Sequence, residues 1–204
     1  AAGVKIVHKC VAVRHALSAE RSGVDAISID SFECAGHPGE DDVGGLILIP
    51  IAAKKLKIPV VASGGMGDGR GMAAALALGA EGINMGTRFC ATKEAPLHDN
   101  IKQALVTASE RDTKLIFRTL HNTARVLKNA ISEEVVATEK KGCTFEDIRP
   151  LVAGTRGRAA LESGDPNGGV ITAGQIVGLI DDVPTCAELI PPIVCECRER
   201  LAMG

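Results

Sequence analysis

His37 is the residue of this chain best suited to proton transfer. It lies in the run Glu33-Cys34-Ala35-Gly36-His37-Pro38-Gly39-Glu40-Asp41-Asp42, flanked by glycines that leave room for a ligand. An imidazole there can accept a proton or donate a hydrogen bond near neutral pH, or it can be a loop histidine bonded to backbone. A second chemistry is written into two glycine-rich segments, Ser63-Gly64-Gly65-Met66-Gly67-Asp68-Gly69 and Asn84-Met85-Gly86-Thr87-Arg88. Each follows a short β-branched apolar run, and a helix-like stretch links them. Small residues at successive strand ends let backbone N–H groups approach phosphate oxygens, and a following helix N-terminus adds a favourable dipole. Thr87 can add a hydroxyl and an N–H, whereas Asp68 suits the N-cap of the next helix. The spacing matches neither the GxxxxGK[ST] loop nor the GxGxxG fingerprint.

Lys9 and Asp30 end two candidate strands and would face the same mouth. The lysine could stabilise negative charge on a reduced cofactor, and the aspartate could accept from a hydroxyl or ring N–H. Their plain alternatives are a solvated strand-end lysine and a turn cap. Cys34 has a base nearby and could be a nucleophile, but a small buried filler is the simpler role. The acidic run 40–42 reads as a solvated helix start rather than a metal site.

The elements that must hold these residues read as strand–helix units. Strands are expected over 4–9, 25–30, 59–62 and 82–85, with helices over 12–22, 46–56 and 71–78. Gly23 and Gly79 fit helix ends. Apolar strands alternating with helices imply an α/β fold with a parallel sheet. The sheet is either doubly wound or part of a (β/α)8 barrel. Four strands cannot close such a barrel, and the start at Ala1-Ala2-Gly3, without Met, favours its C-terminal half. Residues 1–94 would then be barrel units and 95–204 a helical segment packed over the active site. That segment is expected as helices over 96–110, 122–141 and 144–163. A last helix, opened by a capping box at Thr185, runs to 201. Gly174 and Gln175 could close over the site.

The chain has 204 residues, 46% of them hydrophobic, and a net charge of −2, so it lacks the basic footprint of a nucleic-acid binder. No apolar run approaches the roughly 20 residues of a membrane span. The seven cysteines, at 10, 34, 90, 143, 186, 195 and 197, lack zinc-type spacing. Cys195 and Cys197 should point to opposite helix faces. A reduced, cytoplasmic protein without a metal centre is expected. With no Trp or Tyr, any strong near-ultraviolet or visible absorbance would have to come from a bound chromophore.

At these residues the chain resembles the nitronate monooxygenase family, formerly 2-nitropropane dioxygenases, which are FMN-dependent (β/α)8 (TIM) barrels. The matching stretches are His8-Lys9-Cys10, the Glu33 to Asp42 run, and Ala62-Ser63-Gly64-Gly65 with Asp68-Gly69-Arg70. Residues 74–89, Asn122-Thr123-Ala124-Arg125-Val126, and Ala173-Gly174-Gln175 with Gly178-Leu179-Ile180-Asp181 match too. The resemblance implies that Ser63, Gly64, Gly65, Gly86 and Thr87 hold the FMN phosphate. It also implies that Lys9, Asp30 and Ala35 contact the rest of the flavin, and that His37 is the catalytic residue beside the ring. The implied reaction converts an alkyl nitronate and O2 to a carbonyl compound and nitrite. Alternatives are an NAD(P)H:quinone reductase of the same family, a flavin-dependent enoyl-ACP reductase, and a non-catalytic half-barrel scaffold. The implied partners are small molecules (nitronate, or NAD(P)H and quinone), with no nucleic acid, no membrane span and a homodimer left open.

Overall fold

Four short strands carry the first half of the chain: β1 (Val7–Cys10), β2 (Ala26–Asp30), β3 (Val60–Ser63) and β4 (Gly82–Asn84). In the computed structural model, which describes residues 2–203, all neighbours are parallel and the order is β1-β2-β3-β4. The connecting helices are α1 (Val13–Arg21), α2 (Gly45–Lys55) and α3 (Gly69–Ala77). Right-handed crossovers that always step the same way place their helices on one face of the sheet. The order therefore lacks the reversal of a doubly wound sheet. Among the described residues the four strands stay an open sheet and do not close a barrel.

Packing follows from the residue pattern. Ile27 and Ile29 of β2 and Ala62 of β3 meet Ile49, Ala52 and Ala75 from the helices in one buried cluster. Strand β2 is buried along nearly its whole length although its residues alternate: Ile27 and Ile29 enter this cluster, while Ser28 and Asp30 are buried polar residues. Asp30 stands opposite Ser63 and Ser63 opposite Asn84, so the polar strand ends line up along one rim. Strand β1 is an edge strand with Val7 60% exposed, and it begins at Val7 rather than at residue 4.

The second half departs from the expected run of helices. Short α4 (Thr87–Cys90) and α5 (Asp99–Thr107) lead to an antiparallel pair, β5 (Thr113–Ile116) and β6 (Ala124–Leu127). The helix expected over 122–141 is thus a strand followed by α6 (Ala130–Glu139). All four residues of β6 are buried, which removes the alternation that marks a strand, and pairing with β5 overrides the local helical preference. Helix α6 starts where it does because of a capping box: Asn129 accepts from Ser132 N at 2.8 Å, and Ser132 Oγ accepts from Asn129 N at 2.9 Å. The stretch 144–163 is two helices, α7 (Phe145–Val152) and α8 (Gly154–Ser163), broken at Ala153 with ψ 130°. Helix α9 (Cys186–Ala202) opens with the expected capping box, in which Thr185 N donates to Glu188 Oε2 at 2.8 Å. Cys195 is exposed and Cys197 buried, on opposite faces of α9, and all seven cysteines are free thiols. Among the described residues no helix is long and apolar enough to cross a membrane.

Candidate active site

The aligned strand ends open into two adjoining cavities. The smaller, about 100 Å³, is lined by Ser63, Gly64, Gly65 and Asn84. The larger, an open cleft of about 590 Å³, is lined by Asp30, Gly36, His37 and Thr172. Lys9, Ala35, Gly86 and Thr87 border both. All nine residues singled out from the sequence therefore converge on one place, although they come from four strand ends and a loop.

The glycines divide into two kinds. Gly64 has φ +85°, and a Cβ there would lie 2.7 Å from Ser31 Oγ and 2.9 Å from Cys34 Cβ, so glycine is required for the turn itself. Gly86 has φ −102°, lines both cavities, and would place a Cβ in open space with nothing within 4 Å, so neither the turn nor packing requires glycine there. Gly67 and Gly69 serve packing instead. A Cβ at Gly67 would strike Ile176, and one at Gly69 would strike Glu196 and the backbone of Ile193 and Cys197. The expected dipole from α3 is also already used. Asp68 caps Gly71 N at 2.7 Å, and Glu196 of α9 accepts from Gly69 N at 3.1 Å. Donors at the small cavity are thus strand-end backbone groups and hydroxyls rather than this helix terminus.

Electrostatics sort the charged groups. Lys9 Nζ lies 2.9 Å from Asp30 Oδ2; the aspartate side chain is 3% exposed and the lysine 60%. Asp30 Oδ1 is buried without a hydrogen-bond partner, an acceptor at the cleft wall. Glu33 also borders the small cavity, but its carboxylate accepts from Gly45 N at 3.2 Å at the start of α2, so its charge is turned to that helix. Burial, reinforced by the charge of Asp30, pushes the Cys34 thiol up to about 12. A thiol that stays protonated at neutral pH is a poor nucleophile, and Cys34 is a filler.

His37 is exposed and lines the cleft. Thr87 Oγ1 accepts from Gly174 N at 3.0 Å, which leaves its hydroxyl proton for another acceptor. The segment after residue 170 closes one wall through Thr172, Gly174 and Ile176. Of the two residues expected to close here, Gly174 borders the cavity. Gln175 enters through its backbone, donating to Glu33 O at 3.0 Å. Sequence reasoning missed Thr172 and Ile176, whose signal is only their place beside Gly174. It also missed the role of β6, considered below.

Fold and rim geometry define a parallel α/β protein with a polar, glycine-walled pocket opening beside a histidine. The model of the family described as nitronate monooxygenase matches residues 1–196. The chain belongs to the nitronate monooxygenase family. A curated relative from Rhodococcus jostii (strain RHA1), named (3aS,4S,5R,7aS)-5-hydroxy-7a-methyl-1-oxo-octahydro-1H-indene-4-carboxyl-CoA dehydrogenase, is 32% identical over all of this chain and 68% of its own length. A probable nitronate monooxygenase of Bacillus subtilis (strain 168) is 35% identical over 79% of this chain and 49% of its own. The solved structure of FabK from Thermotoga maritima superposes with a TM-score of 0.92 at 35% identity, covering 98% of this chain and 63% of that one. The chain thus spans about half to two thirds of the length of these relatives.

Proposed function

We propose that this protein is an FMN-dependent oxidoreductase that oxidises alkyl nitronates with O2 to carbonyl compounds and nitrite. The observation that carries this reading is the convergence of His37, the Lys9–Asp30 pair and the Ser63, Gly64, Gly65, Gly86 and Thr87 rim on two joined cavities. A small polar pocket that opens into a larger cleft suits a phosphate tail and a ring system. The space at Gly86 and the unpartnered Asp30 Oδ1 are a cradle and an acceptor of the kind a flavin nucleotide would use.

When bound, FMN would supply the redox centre for electron transfer between substrate and dioxygen. Ser63, Gly64, Gly65, Gly86 and Thr87 hold the phosphate through backbone N–H groups and hydroxyl donors. Asp30 fixes Lys9 at the border of both cavities, where its exposed ammonium stabilises negative charge in the ligand. Ala35 shapes the wall between the cavities. His37 orients the nitro group of the anionic substrate; with a neutral nitroalkane, an imidazole nitrogen takes the α-proton.

The fold reading belongs to the same proposal. Residues 1–94 form the C-terminal half of a (β/α)8 barrel, and 95–204 form a segment that packs on it and covers the site. Two features support it: the sequential strand order, and the exposed edge strand β1, which carries the apolar Val7 beside exposed Val4 and Ile6. We place the protein in the cytoplasm.

A second reading is favoured by the name of the Rhodococcus relative, a carboxyl-CoA dehydrogenase: the same pocket serving a dehydrogenase or reductase. Stopped-flow and steady-state assays separate the two. Nitrite release from propionate-3-nitronate with oxygen uptake supports the monooxygenase. Anaerobic flavin bleaching by NAD(P)H without nitrite formation in the aerobic assay supports the reductase.

A further inference from the structure

We infer that strand β6 and the residue that precedes it form a positioning clamp for His37, gripping its loop from Arg125 and Thr123. Resting on the reading of His37 as the catalytic residue, this extends it to how the histidine is held. His37 is exposed, so side-chain packing does not fix its ring. Its position must come from the backbone on either side, and the clamp supplies that restraint.

Three grips fall on Phe32, Gly36 and Glu40, spaced four residues apart through the loop. At the first, the Arg125 guanidinium donates to Phe32 O at 2.9 Å and lies 4.5 Å from the centre of the Phe32 ring. At the second, Gly36 N donates to Arg125 O at 3.0 Å and Arg125 N donates to Gly36 O at 2.6 Å, an isolated antiparallel bridge. Gly36 has φ +73°, the left-handed conformation that favours glycine. At the third, the Glu40 carboxylate accepts from Thr123 N at 2.7 Å and from Thr123 Oγ1 at 2.6 Å, across 83 positions of sequence. Hydrogen bonds to a carboxylate are stronger than neutral ones, and these lower the Glu40 pKa from its ordinary value. His37 sits between the second and third grips.

Thr123 and Arg125 are 1% and 3% exposed, so the clamp is built into the interior of the covering segment. Arg125 also donates to Thr113 Oγ1 of β5 at 3.1 Å, which ties it to the strand pair. Of the clamp residues only Gly36 borders the two cavities at the strand ends. Glu40 and Thr123 line a separate cavity of about 270 Å³ that shares His37, and their carboxylate and hydroxyl are engaged with each other there. The matching stretch Asn122-Thr123-Ala124-Arg125-Val126 thereby acquires a role: it aims the histidine.

The test uses the intact, flavin-loaded protein and two readouts. One is the His37 imidazole 13Cε1–1H resonance, assigned by its loss in His37→Gln. The other is turnover, measured alongside FMN affinity. Thr123→Val removes the hydroxyl donor at nearly constant shape. It should shift or broaden the His37 resonance and lower kcat roughly 10- to 100-fold at unchanged FMN affinity, because a small misplacement of a reacting group is costly. Thr123→Ser should restore both. Glu40→Ala, at an exposed position that folding tolerates, should reproduce the shift. An unmoved His37 resonance in either folded variant overturns the clamp. A moved resonance with unchanged turnover supports the clamp and counts instead against the catalytic role of His37.

Discussion

At the residue scale, the site depends on which atoms are left over once the fold has used the rest. Asp30 spends one oxygen on Lys9 and keeps the other unpartnered. Thr87 spends its acceptor on Gly174 and keeps its proton. Glu33 spends its carboxylate on Gly45. His37 presents its ring to the cleft. Replacing it with Ala is expected to leave FMN binding near wild type while lowering turnover by roughly 10²- to 10⁴-fold, the range for loss of a general base. Equal turnover in steady-state assays would remove His37 from the chemistry. The glycine–proline setting singled out His37 but left a proton-transfer group and a backbone-bonded loop histidine equally open; the family resemblance pointed to the first. Its restraint by Arg125 was not legible, since a bridge between Gly36 and a residue far along the chain leaves no local pattern.

At the element scale, the first half was legible because each βα unit is locally consistent: apolar strand, polar or glycine end, helix, glycine. The pair β5–β6 was not. Its connection holds Phe117 at φ 64° and His121 at φ 53°, left-handed positions that sequence reading assigns to glycine or asparagine. Strand β6 reads Ala-Arg-Val-Leu, which joins smoothly onto the helix that follows. The glycine segment was half legible for the same kind of reason. Gly64 and Gly65 shape the rim, but Gly69 is glycine because α9 crosses α3 there. Gly69→Ala should therefore cost about 1–3 kcal/mol in a urea melt, the range for overpacking a close contact. FMN affinity of the folded fraction should be nearly unchanged. A melt identical to wild type would remove the packing role of Gly69.

At the scale of the whole molecule, six carboxylates are held below their ordinary values by donors in the fold. Asp25 owes this first to Lys5, Glu40 to Thr123, Glu94 to the Cys186 N–H, Asp112 to Ser109, and Asp147 and Glu188 to the capping N–H groups of Thr144 and Thr185. A depressed folded-state value means the unfolded chain binds protons first as pH falls. Their stabilisation is fully present above the ordinary values of 3.8 and 4.5 and is lost as pH drops through the lower folded ones. Melting temperature should thus be insensitive to these groups from pH 8 to about 5 and fall below about pH 4. Glu40→Gln should flatten part of that fall, and an unchanged acid limb would count against the Thr123–Glu40 pairing. A parallel sheet was expected from the alternating pattern, which left a doubly wound and a barrel-type order open; the sequential order β1-β2-β3-β4 is a finding of the structure. The sheet's openness followed from a strand count of four.

In the proposed function the joined cavities hold FMN with its phosphate against Gly86. A titration of FMN fluorescence quenching, run on wild type and Gly86→Val, tests it most directly. A Cβ at Gly86 meets no protein atom within 4 Å and Gly86 lines both cavities, so the fold should survive while the added bulk narrows the site. The account predicts saturable quenching by the wild type and affinity at least about tenfold weaker in the variant, a loss of about 1.4 kcal/mol. No saturable binding by the wild type, or equal affinity in both, would contradict it.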